Sequence, residues 1–184
     1  MKNSTAVRSS FTALKDVRVL TLMALLAAMS IVFGKLLAIN IGPTIRISFE
    51  NLPLLMAGIF LGAPAGFLVG VMADVIGCLI VGYSINPIIT LGAGCIGLVA
   101  GLLYSALQKA GLPERVAISV MSAHVVGSMV IKSIGLMVFY SYTLAMTAPR
   151  VPLYLVIGAV ESMIIILLMK NRIFAEQVER LRRK

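Results

Sequence analysis

Long apolar stretches separated by short polar or turn-forming segments set the rhythm of this chain. Asn51 to Ala73 and Val75 to Gln108 contain no formally charged side chain, a length of apolar sequence that an ordinary soluble core does not need. The punctuation lies at Asn40-Ile-Gly-Pro43, Gly62-Ala-Pro-Ala-Gly66, Gly82-Tyr-Ser-Ile-Asn-Pro87, Gly111-Leu-Pro113 and Ala148-Pro-Arg-Val-Pro152. Between these breaks the pattern predicts six helices, at 17–37, 47–62, 65–82, 87–108, 114–141 and 151–171. The second and third are short against the roughly 20 residues that span a bilayer. Fusing 48–73 into one span across Pro64 would leave an odd number of crossings.

Composition agrees with a membrane protein. Hydrophobic residues make up 60% of the 184 positions, charged residues only 12%, and mean hydropathy is +1.04. The net charge of +9 is parcelled between the apolar runs rather than massed on one face, so it reads as a topology signal and not as a nucleic-acid footprint. With six crossings and the N-terminus inside, twelve basic residues fall on the cytoplasmic side (Lys2, Arg8, Lys15, Arg18, Lys109, Arg115, Lys170, Arg172, Arg180, Arg182, Arg183 and Lys184). Lys35, Arg46 and Arg150 fall on the outer side, and Lys132 lies within a span. An odd count would put the basic tail outside, against the positive-inside tendency.

The expected organisation is therefore one membrane domain over 1–184: a cytoplasmic N-terminus at 1–16, an all-α six-helix bundle at 17–171 and a basic cytoplasmic tail at 172–184. The basic start of the chain followed by an apolar run resembles a signal peptide but has no cleavage site, so it is read as a retained first span. The end of the tail, Arg180-Leu-Arg-Arg-Lys184, suits an amphipathic helix at anionic headgroups or a solvated tail.

Ionisable groups inside a membrane are costly and usually face a cavity or a partner, which makes them the candidate site. Arg46 and Glu50 are four apart and would share a helix face where the second span starts. Asp74 lies midway along the third span, Asn86 at the start of the fourth, His124 and Lys132 in the fifth, Arg150 just before the sixth and Glu161 in its middle. Structural alternatives stand beside each: an Arg46–Glu50 bridge, an Asp74–Lys132 pair, and Glu161 as partner of His124 or Lys132. The sequence carries no HExxH, Gly-x-Ser-x-Gly or Walker glycine loop, and Cys78 and Cys95 lie in apolar runs with no neighbouring His. Neither enzyme chemistry, a metal nor a cofactor is expected. Ala24-x-x-x-Ala28, with Ala27 beside it, gives the first span a flat stripe that another helix can approach closely. The glycines at 58, 62, 66, 70, 92, 94, 97 and 101 are read as close internal packing.

Three segments together resemble the substrate-binding S components of energy-coupling factor (ECF) vitamin transporters, in particular the folate-type branch: Ala24-Leu-Leu-Ala-Ala28, Arg46-Ile-Ser-Phe-Glu-Asn-Leu-Pro53 with Leu-Leu-Met-Ala-Gly58, and Gly70-Val-Met-Ala-Asp-Val-Ile-Gly77. The resemblance covers residues 17–108 and beyond that rests on length and topology. It implies a six-helix multi-pass protein of the cell membrane with both termini cytoplasmic. The loop at Leu37 to Ile45 would close over a vitamin, and Ala24, Ala27 and Ala28 would dock on a transmembrane coupling subunit driven by two cytoplasmic ATPases. The ligand set expected on this basis is Arg46, Phe49, Glu50, Asp74, Tyr83, Asn86, Lys132 and Arg150. A carboxylate such as Asp74 or Glu50 suits the amino and ring N–H edge of a pterin. Arg46, Lys132 or Arg150 suits the glutamate tail of folate. Without Trp, a flat ring would stack on Phe49, Tyr83, Tyr140 or Tyr142. Another ring-bearing vitamin or a deazapurine precursor satisfies the same inventory, and a small self-sufficient secondary transporter or a ligand-free scaffold subunit remain alternatives.

Overall fold

The computed structural model describes residues 16–41, 45–172 and 176. The first fifteen residues and the expected amphipathic tail lie outside the described residues, apart from Arg172 and Glu176. Helix α1, Val17–Ile31, starts where the Asp16 side chain accepts from the Arg18 backbone N–H, and it widens into a π-helical turn at Val32–Leu36. Two short strands follow, β1 (Ile39–Ile41) and β2 (Ile45–Ile47), paired antiparallel with Asn40 opposite Arg46. Helix α2 is Asn51–Leu61 and α3 is Ala63–Val81. Helix α4 is Pro87–Ala106, capped by Asn86, whose Oδ1 accepts from the Ile88 and Ile89 backbone N–H groups. Helix α5, Leu112–Ala123, runs through a π-helical stretch, His124–Ile131, into α6, Lys132–Tyr140. After a short α7, Leu144–Thr147, the last long helix α8 is Arg150–Lys170.

Among the described residues five helical stretches are long and apolar enough to cross a bilayer: Val17–Leu36, Ala63–Val81, Pro87–Ala106, Leu112–Tyr140 and Leu144–Lys170. The sixth helix of the bundle is α2, 11 residues long and about 16 Å by helical rise. It is apolar on every side, and a helix of that kind belongs in the interior. All but Met56 of its residues are buried, against α1, α3 and α4.

The expected second helix began at 47; it begins at Asn51 instead, because Ile45–Ile47 pairs with Ile39–Ile41 as a hairpin. Arg46 therefore sits on a strand, and the helical Arg46–Glu50 face does not exist. The separation of α2 from α3 holds. Gly62 has φ 102°, ψ 165°, a backbone state reserved for glycine. On one straight helix Gly58 and Gly66 would be about 12 Å apart. Here a Cβ on Gly66 would lie 2.7 Å from the Gly58 Cα, so the chain folds back on itself at Gly62. Helix α4 inserts its own glycines into this corner, and a Cβ on Gly97 would meet the Gly66 carbonyl oxygen at 2.3 Å. The glycine run thus lets three backbones touch, the packing role expected of it.

Candidate functional site

The hairpin, the π-helical end of α1 and the neighbouring ends of α3, α4, α6 and α8 surround a cavity of about 590 Å³. Seven of the eight expected ligand residues line it: Arg46, Glu50, Asp74, Tyr83, Asn86, Lys132 and Arg150. Phe49 does not; it is 38% exposed and lies outside the lining.

Each wall has its own construction. Glu50, at the start of α2, is held by the Lys132 Nζ at 2.9 Å, and its carbonyl accepts from the Ser30 hydroxyl at 2.7 Å. Lys132 also donates to the Asn51 Oδ1 at 3.4 Å. On β2, Arg46 donates through Nη2 to the carbonyl of Gly34, while its Nε is buried with no hydrogen-bond partner. Asp74 accepts from the Thr90 hydroxyl at 2.6 Å, which ties α3 to α4. Arg150 donates to the Tyr154 hydroxyl at 3.3 Å, one turn along α8.

Two of the pairings weighed as structural alternatives are replaced. Arg46 bonds the backbone of α1's end rather than Glu50, and Lys132 takes Glu50 rather than Asp74 because α6 approaches the start of α2. The third is realised: His124 Nε2 lies 2.5 Å from Glu161 Oε2, both fully buried. Asn86 touches the cavity, but its side chain is engaged at both ends, capping α4 and donating to the Gly135 carbonyl at 3.2 Å. The Asn86-Pro87 pair is a recognisable helix start, a signal that points to this capping role.

The sequence reading left out Lys35, Cys78 and Tyr154, all of which face the cavity. Lys35 had been counted only as a surface charge; the π-helical turn carries it inward, with Nζ 5.5 Å from the centre of the Tyr83 ring and 3.9 Å from the Cys78 Sγ. Of the stripe on α1, Ala24 and Ala28 are exposed, whereas Ala27 is 5% exposed and packs in the core, so only two of the three alanines can meet a partner. No group of three His, Cys, Asp or Glu side chains able to hold a metal is found among the described residues.

A charged, tyrosine-lined and partly open cavity thus sits among the apolar helices of a multi-pass membrane protein. The family model of the ECF-type riboflavin transporter S component matches residues 15–175, and the chain belongs to that family, which is one of transporter subunits rather than enzymes. Two solved structures share the fold. "Crystal structure of FolT bound with folic acid" superposes with a TM-score of 0.66 at 24% identity, covering 80% of this chain and 90% of that one. "Structure and mechanism of the S component of a bacterial ECF transporter" gives 0.63 at 20% identity, covering 83% and 94%. No curated protein matches the chain in sequence.

Proposed function

We propose that the chain captures a ring-bearing vitamin that carries negative charge, of the folate or related pterin type, for an ECF importer. The observation that supports this reading most is the charge of the cavity wall. Lys35, Arg46, Lys132 and Arg150 stand against Glu50 and Asp74, so after the Glu50–Lys132 pair cancels, two more cations than anions remain among the described lining residues. A surplus of positive charge in a partly open cavity favours entry of an anion, and the buried Arg46 Nε is a donor without a hydrogen-bond partner. Folate brings two carboxylates for these cations and a pterin edge that a carboxylate such as Asp74 can accept from. Tyr83, Tyr140, Tyr142 and Tyr154 offer faces for its rings. A volume of about 590 Å³ falls within the range of pockets that take molecules of that size.

A second reading, riboflavin, is favoured by the family to which the chain belongs. Its flavin is flat and uncharged, so it would use the tyrosines and leave the surplus cations unmatched. Titration calorimetry of the detergent-solubilised protein with folate and with riboflavin separates the two. Folate binding that weakens steeply with added salt supports the anionic reading, because charge pairing is screened. Salt-insensitive binding of riboflavin alone would replace it. In either case the reading includes a transmembrane coupling subunit and two ATPases as partners, with both termini in the cytoplasm.

A further inference from the structure

Below the cavity the bundle holds a second polar construction that no ligand can touch. His124 and Glu161 are 0% exposed and form a dyad across α8 and the π-helical stretch. Two lines of contact lead from this dyad to the cavity wall. On one, His124 Nδ1 lies 3.2 Å from the Ser128 Oγ, which accepts from the Asn51 Nδ2 at 3.5 Å; the other end of the Asn51 amide accepts from Lys132. On the other, the His124 ring stacks on Tyr154 at 5.5 Å between centroids, and the Tyr154 hydroxyl accepts from Arg150. Two of the four cavity cations, on different helices, are therefore linked to one buried dyad, Lys132 beside its own 2.9 Å pair with Glu50.

Stability alone is a weak reason for such a dyad. Buried ion pairs can often be replaced by apolar side chains without loss, and ionisable groups within a membrane are expensive. Glu161 Oε1 adds to the cost, since it is buried with no hydrogen-bond partner. His124 and Ser128, four apart, meet on one face of the π-helical stretch, and wide turns of this kind recur at functional positions. Gly127 keeps that stretch against α4, where an added Cβ would meet the Gly92 carbonyl oxygen at 2.8 Å.

We infer that His124 and Glu161 are positioning residues for the ligand site: they fix the Lys132 ammonium through Ser128 and Asn51, and Arg150 through Tyr154, and so set the preference for an anionic ligand. The inference rests on the cavity being that ligand site. Without the dyad the Ser128 hydroxyl and the Asn51 amide lose their fixed sense. Lys132 then keeps only its Glu50 pair and loses the second contact that fixes its direction, so an anion meets a less closely aimed cation.

The test uses the full chain in detergent and reads Lys132 directly. Acetic anhydride labelling followed by peptide mass spectrometry gives the acylation rate of Lys132 relative to Lys35, which lines the same cavity and has no contact with the dyad. In Glu161→Leu and Ser128→Ala the Lys132 to Lys35 ratio is expected to rise, and folate affinity to fall by about tenfold, the scale of one charge-assisted hydrogen bond. Glu161→Gln, which keeps an acceptor for His124, is expected to stay near the wild-type ratio. An unchanged ratio in both disrupting variants overturns the inference whichever ligand the protein takes. A rise of Lys132 and Lys35 together, with a lower melting temperature, also overturns it, because the dyad then only holds helices together. Absence of folate binding in the unaltered protein is a separate result: it removes the anionic-vitamin reading and leaves the labelling comparison to decide the positioning role.

Discussion

Asp74 is the clearest single-residue case, because its geometry separates holding a helix from holding a ligand. One carboxylate oxygen is engaged by the Thr90 hydroxyl, and the side chain lines the cavity. Asp74→Asn keeps the volume but can turn an acceptor into a donor, and is expected to weaken ligand binding by about 1.5–3 kcal/mol while the protein stays folded. Thr90→Val, which removes only the hydroxyl that orients the carboxylate, should cost less. Calorimetry on both variants, with melting temperature alongside, checks this; equal affinity with lowered stability in Asp74→Asn would make the residue a helix tie. The expense of a charge in hydrocarbon made Asp74, Lys132 and Glu50 legible in the sequence, and all three line the cavity. Their pairing was not legible, because it depends on which helices are neighbours. Lys35 was missed for a related reason: a lysine near the end of a span looks like a surface anchor until the local twist of the helix is known.

Among the elements, α2 and its glycine corner decide where everything else can sit. The Gly58, Gly66 and Gly97 backbones approach so closely that no side chain fits between them. Gly97→Ala places a Cβ 2.3 Å from the Gly66 carbonyl oxygen, and backbone cannot move aside as a flexible side chain does. A loss of about 1–3 kcal/mol is the usual cost of such overpacking, visible as a lower melting temperature in detergent. Gly82→Ala is the contrast: nothing lies within 4 Å of an added Cβ, and only its φ of 75° resists the change, so a smaller loss is expected. A melting temperature for Gly97→Ala no lower than for Gly82→Ala would contradict this account of the corner. The helix count and the break at Gly62 could be read from apolar run lengths and turn residues. The hairpin at 39–47 could not, since three-residue strands leave too short an alternation to detect. The two π-helical stretches were equally hidden, because an inserted residue leaves no mark in a pattern that is apolar on both sides.

At the scale of the whole molecule, the open question is which faces of the bundle meet lipid and which meet protein. Helix α1 turns Val19, Met23, Leu26, Ala27 and Ser30 inward, leaving Leu20, Ala24, Leu25 and Ala28 on its outside. Lipid tails fit against bulky side chains at no cost, so a lipid-facing surface has no need of adjacent small residues, whereas a helix packing closely on α1 does. The exposed Ala24 and Ala28, one turn apart, form such a notch, and Ala27 strengthens the case by taking no part in it, since its burial already serves the core. If a coupling subunit docks there, Ala24→Trp with Ala28→Trp is expected to abolish vitamin uptake in cells that contain the complete transporter, while ligand affinity of the isolated protein changes by less than about threefold, within the range of a surface substitution. The orientation that such docking requires has its own check: in a background with Cys78 and Cys95 replaced by Ser, a cysteine at Lys109 should resist membrane-impermeant labelling in sealed cells, and one at Leu144 should accept it. Both positions are exposed and lie on either side of the Leu112–Tyr140 span. The cavity lies at the end of the bundle that contains Tyr140 and Arg150, so this labelling pattern would open it to the outside, as capture for import demands. Uptake and binding lost together in the double tryptophan variant would show instead that α1 cannot bear the bulk and that its outer face belongs to the folded bundle alone.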